Sequence, residues 1–285
     1  MVENYQYVII DKKEEDKVGI ITLNKPPDNR PNLQMFREIK AAIEQLDKDE
    51  DVLLIMIKGN GPDFSRGGDV EFILELKDWE ATEFFLTLIE MVKTFQAASK
   101  TIMAVIHGWA TAAGMVMSLA SDLIVASEDA VIGSTAIDFG LYCFFGPPTM
   151  LPPIIGPKKA YEMGVTGDVM SAQEAYQRGV INRVVPKDKL EEAAMELATR
   201  ITAKSPSALL LAKRCFYSCR DVEYVKALEH GAAVMGQYHM TAEAREGMKA
   251  FLEKRDPEWC VIGTCSDLSV KRDKSKLKDE GNPEN

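Results

Sequence analysis

Two short runs constrain this chain more than any other feature: VLLIMIKG at 52–59 and TIMAVIHG at 101–108. Each is almost wholly apolar, with no polar alternation that would mark a solvent-facing side. Runs of this length and pattern read as strands buried on both faces, the kind found in sheets covered by helices on either side. Each is followed by a stretch of small residues, GNGPDFSRGGDV at 59–70 and IHGWATAAG at 106–114, where a strand gives way to a helix. A helix N-terminus offers unpaired backbone N–H groups, which stabilise an anion or a developing oxyanion. Glycine and alanine let a ligand approach that backbone closely. A tight strand-to-helix turn with no ligand accounts for either loop alone equally well.

The other elements follow from periodicity. YQYVII at 5–10 and VGIITL at 18–23, split by a charged DKKEEDK, predict a hairpin. Phe36, Ile39, Ile43 and Leu46 fall at helical spacing. A helix is expected over 80–98 and another in GMVMSLASD, with LIVAS and AVIGSTAID as strands after it. Ser171 with Glu174 three residues later is a capping box that opens a helix. INRVV predicts a short strand, and helices are expected over 188–203, 206–218, 221–237 and 241–254. The fold class is α/β, with a helical C-terminal region. The expected organisation is a core over 1–195, a helical region over 196–262, and a charged, disordered tail over 263–285.

Composition narrows the function. The net charge is −10 with no basic stripe, which argues against a nucleic-acid binder but leaves room for local phosphate-binding cations. No apolar run approaches the ~18 residues of a membrane span, and the start MVENYQYVII lacks the features of a secretory signal. Five cysteines without a CxxC predict free thiols in a reducing, cytoplasmic setting. Cys215 and Cys219 share a helix face and read as core packing. Three histidines in no ligand pattern predict no metal site.

Taken in order, ITLNKP, FSRGGD, VIHGWATAAG, SDLIVAS, TGDVMSAQEAYQRGVINRVVP and EGMKAFLEKRDPEW resemble the crotonase (enoyl-CoA hydratase/isomerase) superfamily over residues 5–259. The resemblance implies a spiral of β-β-α units whose C-terminal helices build a homotrimer, often paired into a hexamer. It implies an acyl-CoA thioester ligand, with coenzyme A entering as part of the substrate and no separate cofactor. Two backbone amides then hold the thioester oxygen; the motifs carry these roles onto the N–H groups of Arg66 and Ala113. Lys25 and Arg30, in NKPPDNRPNL, are implied coenzyme A phosphate partners. Phe251 and Lys254, in FLEKR, are implied to reach a neighbouring subunit's coenzyme A. A solvated surface cation is the plain alternative for each lysine and arginine.

The resemblance also exposes a departure. Family hydratases carry one glutamate three residues beyond the second amide and another in a strand-end motif; here those positions are Val116 and Ala136. A subgroup similar to the animal mitochondrial enoyl-CoA hydratase domain-containing protein three shares this lack. Asp138, two residues after Ala136 and on the same face if the segment is a strand, is a candidate acid/base. Tyr142 is a second candidate, and Tyr142, Cys143, Phe144 and Phe145 are expected to shape the acyl pocket. Asp69 and His107 read as structural. The functional expectation is enoyl-CoA hydratase or lyase-type chemistry through a thioester enolate. Isomerisation, decarboxylation, thioester hydrolysis and non-catalytic acyl-CoA binding stand as alternatives.

Overall fold

The computed structural model describes residues 5–259. Among the described residues nine strands run β1 (Val8–Lys13), β2 (Val18–Leu23), β3 (Leu54–Gly59), β4 (Thr101–Ile106), β5 (Trp109–Thr111), β6 (Leu123–Ser127), β7 (Val131–Gly133), β8 (Val169–Ser171) and β9 (Arg183–Val185). The helices are α1 (Leu33–Lys48), α2 (Val70–Glu75), α3 (Asp78–Ala97), α4 (Ala113–Ala120), α5 (Pro152–Ile155), α6 (Pro157–Thr166), α7 (Ala172–Gln177), α8 (Leu190–Thr202), α9 (Pro206–Cys219), α10 (Tyr224–Tyr238) and α11 (Ala242–Glu253). A six-stranded sheet has the order β1-β2-β3-β4-β6-β9, and a three-stranded sheet has the order β5-β7-β8. Beyond the antiparallel β1–β2 hairpin, the large sheet is parallel.

The two apolar runs are indeed central and buried on both faces. Ile55 and Ile57 join one core with Phe36, Ile39 and Ile43 of α1 and Met91 and Phe95 of α3. Leu54 and Met56 point the other way, into a second core with Leu190, Ala194 and Ala198 of α8. Period-two alternation thus serves two helical layers, one on each face. Asn32 starts α1 by accepting the Met35 N–H at 3.0 Å. Ser171 caps α7 through the Glu174 N–H, but the Glu174 carboxylate turns to Arg178 instead of closing the box.

Three expectations shift. The first strand runs Val8–Lys13 instead of 5–10, because the ladder with β2 continues through the charged DKK, whose side chains face water at the sheet edge while Val8 stays in the core. AVIGSTAID is a strand only to Gly133; Thr135–Phe139 form a 3-10 turn. The reason is pairing: the ladders from β5 and β8 both end at Gly133, so the chain beyond has no partner strand. The domain boundary expected at 195 falls inside α8, whose buried face belongs to the core. The tail expected over 263–285, together with Cys260 and Cys265, lies outside the described residues.

A buried lysine ties α9 to the sheet. Lys213, 7% exposed, donates to the carbonyls of Phe95 and Lys100 at 2.8 Å each and pairs with Asp122 at 2.8 Å. Asp122 also accepts the Tyr217 hydroxyl at 2.7 Å and the Ile102 N–H at 2.7 Å. Burial pushes the Lys213 ammonium below its ordinary pKa, partly offset by Asp122. Burial and the Asp122 charge push the Tyr217 phenol up. Cys215 and Cys219 pack with sulfurs 3.8 Å apart, as free thiols.

At the far end Arg255 grips Glu246 with two N–H groups at 2.6 and 2.9 Å. This hydrogen bonding, with the Glu258 N–H, holds the Glu246 carboxyl at about 2 instead of 4.5. Between those values the unfolded chain binds a proton that the folded chain does not, so the contribution is present above pH ~4.5 and is lost as pH falls towards 2. The pair is close to solvent, where screening keeps its contribution to stability small. Hydrogen exchange of α11 amides is expected to speed up from pH 5 to pH 3 more in the parent than in Glu246→Gln, after correction for intrinsic rates. Equal changes would show that the pair does not hold α11.

Candidate functional site

The parallel strands β3 and β4 end at the same edge of the sheet, and the two small-residue loops emerge there side by side. Backbone hydrogen bonds stitch them together: Phe64 N–H to the His107 carbonyl at 2.9 Å, Ser65 N–H to Trp109 at 2.9 Å, and Thr111 N–H to Ser65 at 3.0 Å. Small residues make this approach possible. A Cβ on Gly114 would stand 2.2 Å from the Ser65 carbonyl oxygen, and one on Gly67 2.8 Å from the Ala112 Cβ. Ala112 adopts φ 47 and ψ −110, unfavourable for a residue with a Cβ. Such strain persists only where surrounding contacts enforce it, and it concentrates at functional sites.

Ala113 is the first residue of α4, and the first intrahelical bond of that turn comes from the Val116 N–H to the Ala112 carbonyl. Among the described residues the Ala113 N–H has no acceptor, as an oxyanion donor requires. Arg66 does not match its expected role. Its N–H donates to the Asp28 carbonyl at 2.9 Å. Its guanidinium bonds Asp63 through Nε at 2.7 Å and stacks on the Trp109 ring, 5.0 Å from the centroid. On the same loop the Asp69 N–H is taken by Pro31 at 3.1 Å. The N–H groups of Gly67 and Gly68 remain, with no acceptor among the described residues. The Gly68 Cα faces Ile73 and Phe84, whereas Gly67 is pressed against Ala112.

Asp69 behaves as a brace. It caps α2 by accepting the Phe72 N–H at 3.2 Å and pairs with Lys25. Burial raises its carboxyl, but the Lys25 and Phe72 bonds outweigh this and hold it below the usual range. His107 bonds the Gly61 carbonyl through Nε2 at 2.9 Å.

Lys25 and Arg30 line one cleft of ≈ 560 Å³ beside this loop, within the usual size of a ligand pocket. Neither cation is unpaired. Lys25 reaches Asp69 and the Arg30 carbonyl, and Arg30 Nε bonds Asp28 at 3.1 Å. Asp28, Asp69 and Glu71 share the lining, with Phe139 at one side. Phe251, 83% exposed, and Lys254 sit at the end of α11 and do not line this cleft.

Val116 is buried at 2% exposure one turn into α4, and Ala136 is half-buried on the 3-10 turn. The strand argument for Asp138 fails, because residues two apart on a turn with three residues per turn do not share a face. Asp138 is exposed, and its carboxylate lies against Gly167 at the end of α6. Tyr142 is 69% exposed. Phe144 and Phe145 pack on the core, Phe144 edge-on to Phe85 at 5.5 Å and 4.6 Å from Phe145.

Two residues were not singled out by the sequence. Asn29, fully buried with φ +48, donates to the carbonyls of Asn60 and Asp63 at 2.8 and 3.0 Å, and its own carbonyl accepts the Ser65 hydroxyl at 2.7 Å. It pins the cleft loop to the first small-residue loop. An Asn in a turn tolerates positive φ, but nothing local marks its partners. The second is Ser134, whose buried hydroxyl has no partner.

Among the described residues no helix is long and apolar enough to cross a membrane, and no cluster of three metal-ligating side chains occurs. The enoyl-CoA hydratase/isomerase family model matches residues 13–261. The chain is 30% identical over 253 residues to a crotonyl-CoA hydratase of Syntrophomonas wolfei, covering 88% of this chain and 96% of that one. It is 32% identical over 250 residues to the mitochondrial enoyl-CoA hydratase domain-containing protein 3 of Rattus norvegicus, covering 87% and 83%. The crystal structure of an enoyl-CoA hydratase from Mycobacterium smegmatis superposes with a TM-score of 0.84 at 32% identity, covering 89% and 98%. The fold, the paired loops and these likenesses agree: the chain belongs to the enoyl-CoA hydratase/isomerase family.

Proposed function

We propose that this protein is a lyase that binds an acyl-CoA thioester and stabilises its enolate with two backbone N–H groups, those of Ala113 and Gly68. The observation that carries the reading is the unpaired Ala113 N–H at the start of α4, held against the glycine loop. Gly68 replaces Arg66 as the first donor because the Arg66 N–H is bonded to Asp28. Aimed donors of this kind favour a reaction in which negative charge grows on the thioester oxygen.

Val116 and Ala136 cannot move protons, so strong general-base catalysis has no side chain at those places. This favours lyase steps in which the substrate generates much of its own carbanion, with loss of carboxylate as the limiting case. Water addition to an enoyl thioester is the other lyase reaction. Mass spectrometry of mixtures with a malonyl-type CoA and with crotonyl-CoA separates them: the first loses carbon dioxide, the second gains water. Binding of both with no mass change would leave an acyl-CoA-binding protein without turnover and would overturn the lyase assignment.

Asp138→Asn is expected to keep turnover within about twofold, because its carboxylate lies at the α6 turn. A loss of a hundredfold or more would restore Asp138 as the acid/base. In the cleft, the Lys25 ammonium keeps one N–H for a coenzyme A phosphate after its two protein bonds, and Arg30 keeps its terminal amino groups. Phe251 and Lys254 suit a contact to coenzyme A in a neighbouring copy. A homotrimer or hexamer is supported by the exposed Val225, Leu228, Met235, Met248, Phe251 and Leu252 on α10 and α11. Free Cys143, Cys215 and Cys219 suit a reducing compartment such as the cytoplasm.

A further inference from the structure

Asn29 sits where the cleft loop meets the first small-residue loop, and it is 0% exposed. Every polar group it carries is bonded. Its N–H donates to the Lys25 carbonyl and its Oδ1 accepts the Lys25 N–H, both at 2.9 Å, so the turn that presents Lys25 and Arg30 closes on this residue. On the other side Nδ2 holds the carbonyls of Asn60 and Asp63, and the Asn29 carbonyl holds the Ser65 hydroxyl.

These contacts lead on to the second small-residue loop. The Asp63 carboxylate, on a residue 3% exposed, accepts the Trp109 N–H at 2.8 Å. The Ser65 carbonyl accepts the Thr111 N–H at 3.0 Å. Trp109 and Thr111 are the ends of β5, which runs into Ala112 and Ala113. Gly68 follows Ser65 on the first loop. A buried network with every member bonded moves as a unit, because any relative displacement strands a donor or an acceptor in the interior. The wall of the Lys25–Arg30 cleft is thus tied to both loops that carry an unpaired N–H.

We propose that Asn29 is a positioning residue that transmits occupancy of the Lys25–Arg30 cleft to the N–H groups of Gly68 and Ala113. A phosphate-bearing nucleotide end bound in the cleft then fixes the donors that receive the thioester oxygen. This rests on the acyl-CoA reading of the site. Asn29 touches neither the phosphates nor the reacting atoms; it acts through Asp63 and Ser65. Binding energy from a remote part of the ligand is thereby turned into orientation at the reacting centre.

Hydrogen exchange of segments 64–69 and 109–113, with and without saturating adenosine 3′,5′-bisphosphate, tests this in the parent and in Asn29→Gly. The nucleotide lacks the pantetheine arm, so it acts from the cleft end alone. Glycine accepts the φ of +48 at this position, so the turn is kept while the side-chain bonds are deleted. In the parent the nucleotide is expected to slow exchange of both segments about tenfold, within the usual range of coupling between two sites. Asn29→Gly keeps Lys25 and Arg30 and is expected to bind the nucleotide within about threefold of the parent, yet to show less than about twofold slowing. Ser65→Ala removes only the hydroxyl bonded to the Asn29 carbonyl and is expected to lose part of the slowing; it decides alone if Asn29→Gly does not fold. Slowing that survives at the parental level overturns the proposal, because the nucleotide then shields the loops directly and Asn29 merely holds the fold. A parent that binds the nucleotide with no slowing at either segment overturns it too, as does a parent that binds coenzyme A but not the nucleotide. If the parent binds neither, the acyl-CoA reading itself fails, an outcome distinct from the others.

Discussion

Ala113→Pro is expected to lower turnover of the protein's acyl-CoA substrate by roughly 10²–10³-fold, the usual cost of removing one oxyanion donor. Ala113 is the first residue of α4, where proline is compatible with a helix because that N–H has no intrahelical acceptor. The substitution therefore deletes the proposed donor while leaving the helix hydrogen bonds in place. Ala113→Gly keeps the N–H and is expected to stay within a few-fold of the parent. The unusual backbone of Ala112 sits directly before the site, so circular dichroism and thermal melting must accompany the kinetics. A folded Ala113→Pro protein with more than a tenth of parental turnover would remove the N–H from the mechanism.

Lys213→Met is expected to destabilise the fold by about 3–5 kcal/mol, since it leaves a carboxylate in the interior without its counter-charge. Asp122 would keep the Tyr217 hydroxyl and the Ile102 N–H, but the carbonyls of Phe95 and Lys100 would each lose their ammonium donor. The double variant Lys213→Met/Asp122→Asn removes both charges and should recover part of the loss. Urea unfolding midpoints of the parent, both single variants and the double variant form a cycle that isolates the pair. If Lys213→Met costs under ~1 kcal/mol, the ammonium does not anchor α9.

The strands and long helices were legible because their patterns are local. VLLIMIKG and TIMAVIHG need no distant information to read as buried strands, and Phe36, Ile39 and Ile43 mark one helix face. The misses share a cause: partners far away in the chain. AVIGSTAID keeps strand-like residues past Gly133, but the neighbouring strands run out there. FSRGGD locates the loop, yet which of its N–H groups is unpaired depends on the Asp28 carbonyl, supplied by the cleft loop. That Lys25 pairs with Asp69 and Arg30 with Asp28 is likewise set by the fold and not by the motif. The orphan state of Ser134 is a property of its surroundings alone, so no motif could announce it.

The large sheet has a further consequence for how the molecule comes into being. Its order β1-β2-β3-β4-β6-β9 follows chain order, with only the strands of the small sheet omitted. Each newly made strand docks on the edge left by the previous one and never has to be inserted between two already paired. The sheet can therefore grow outward in step with synthesis on the ribosome. The two small-residue loops meet once β5 has followed β4, well before the ribosome has released the helices that complete the molecule.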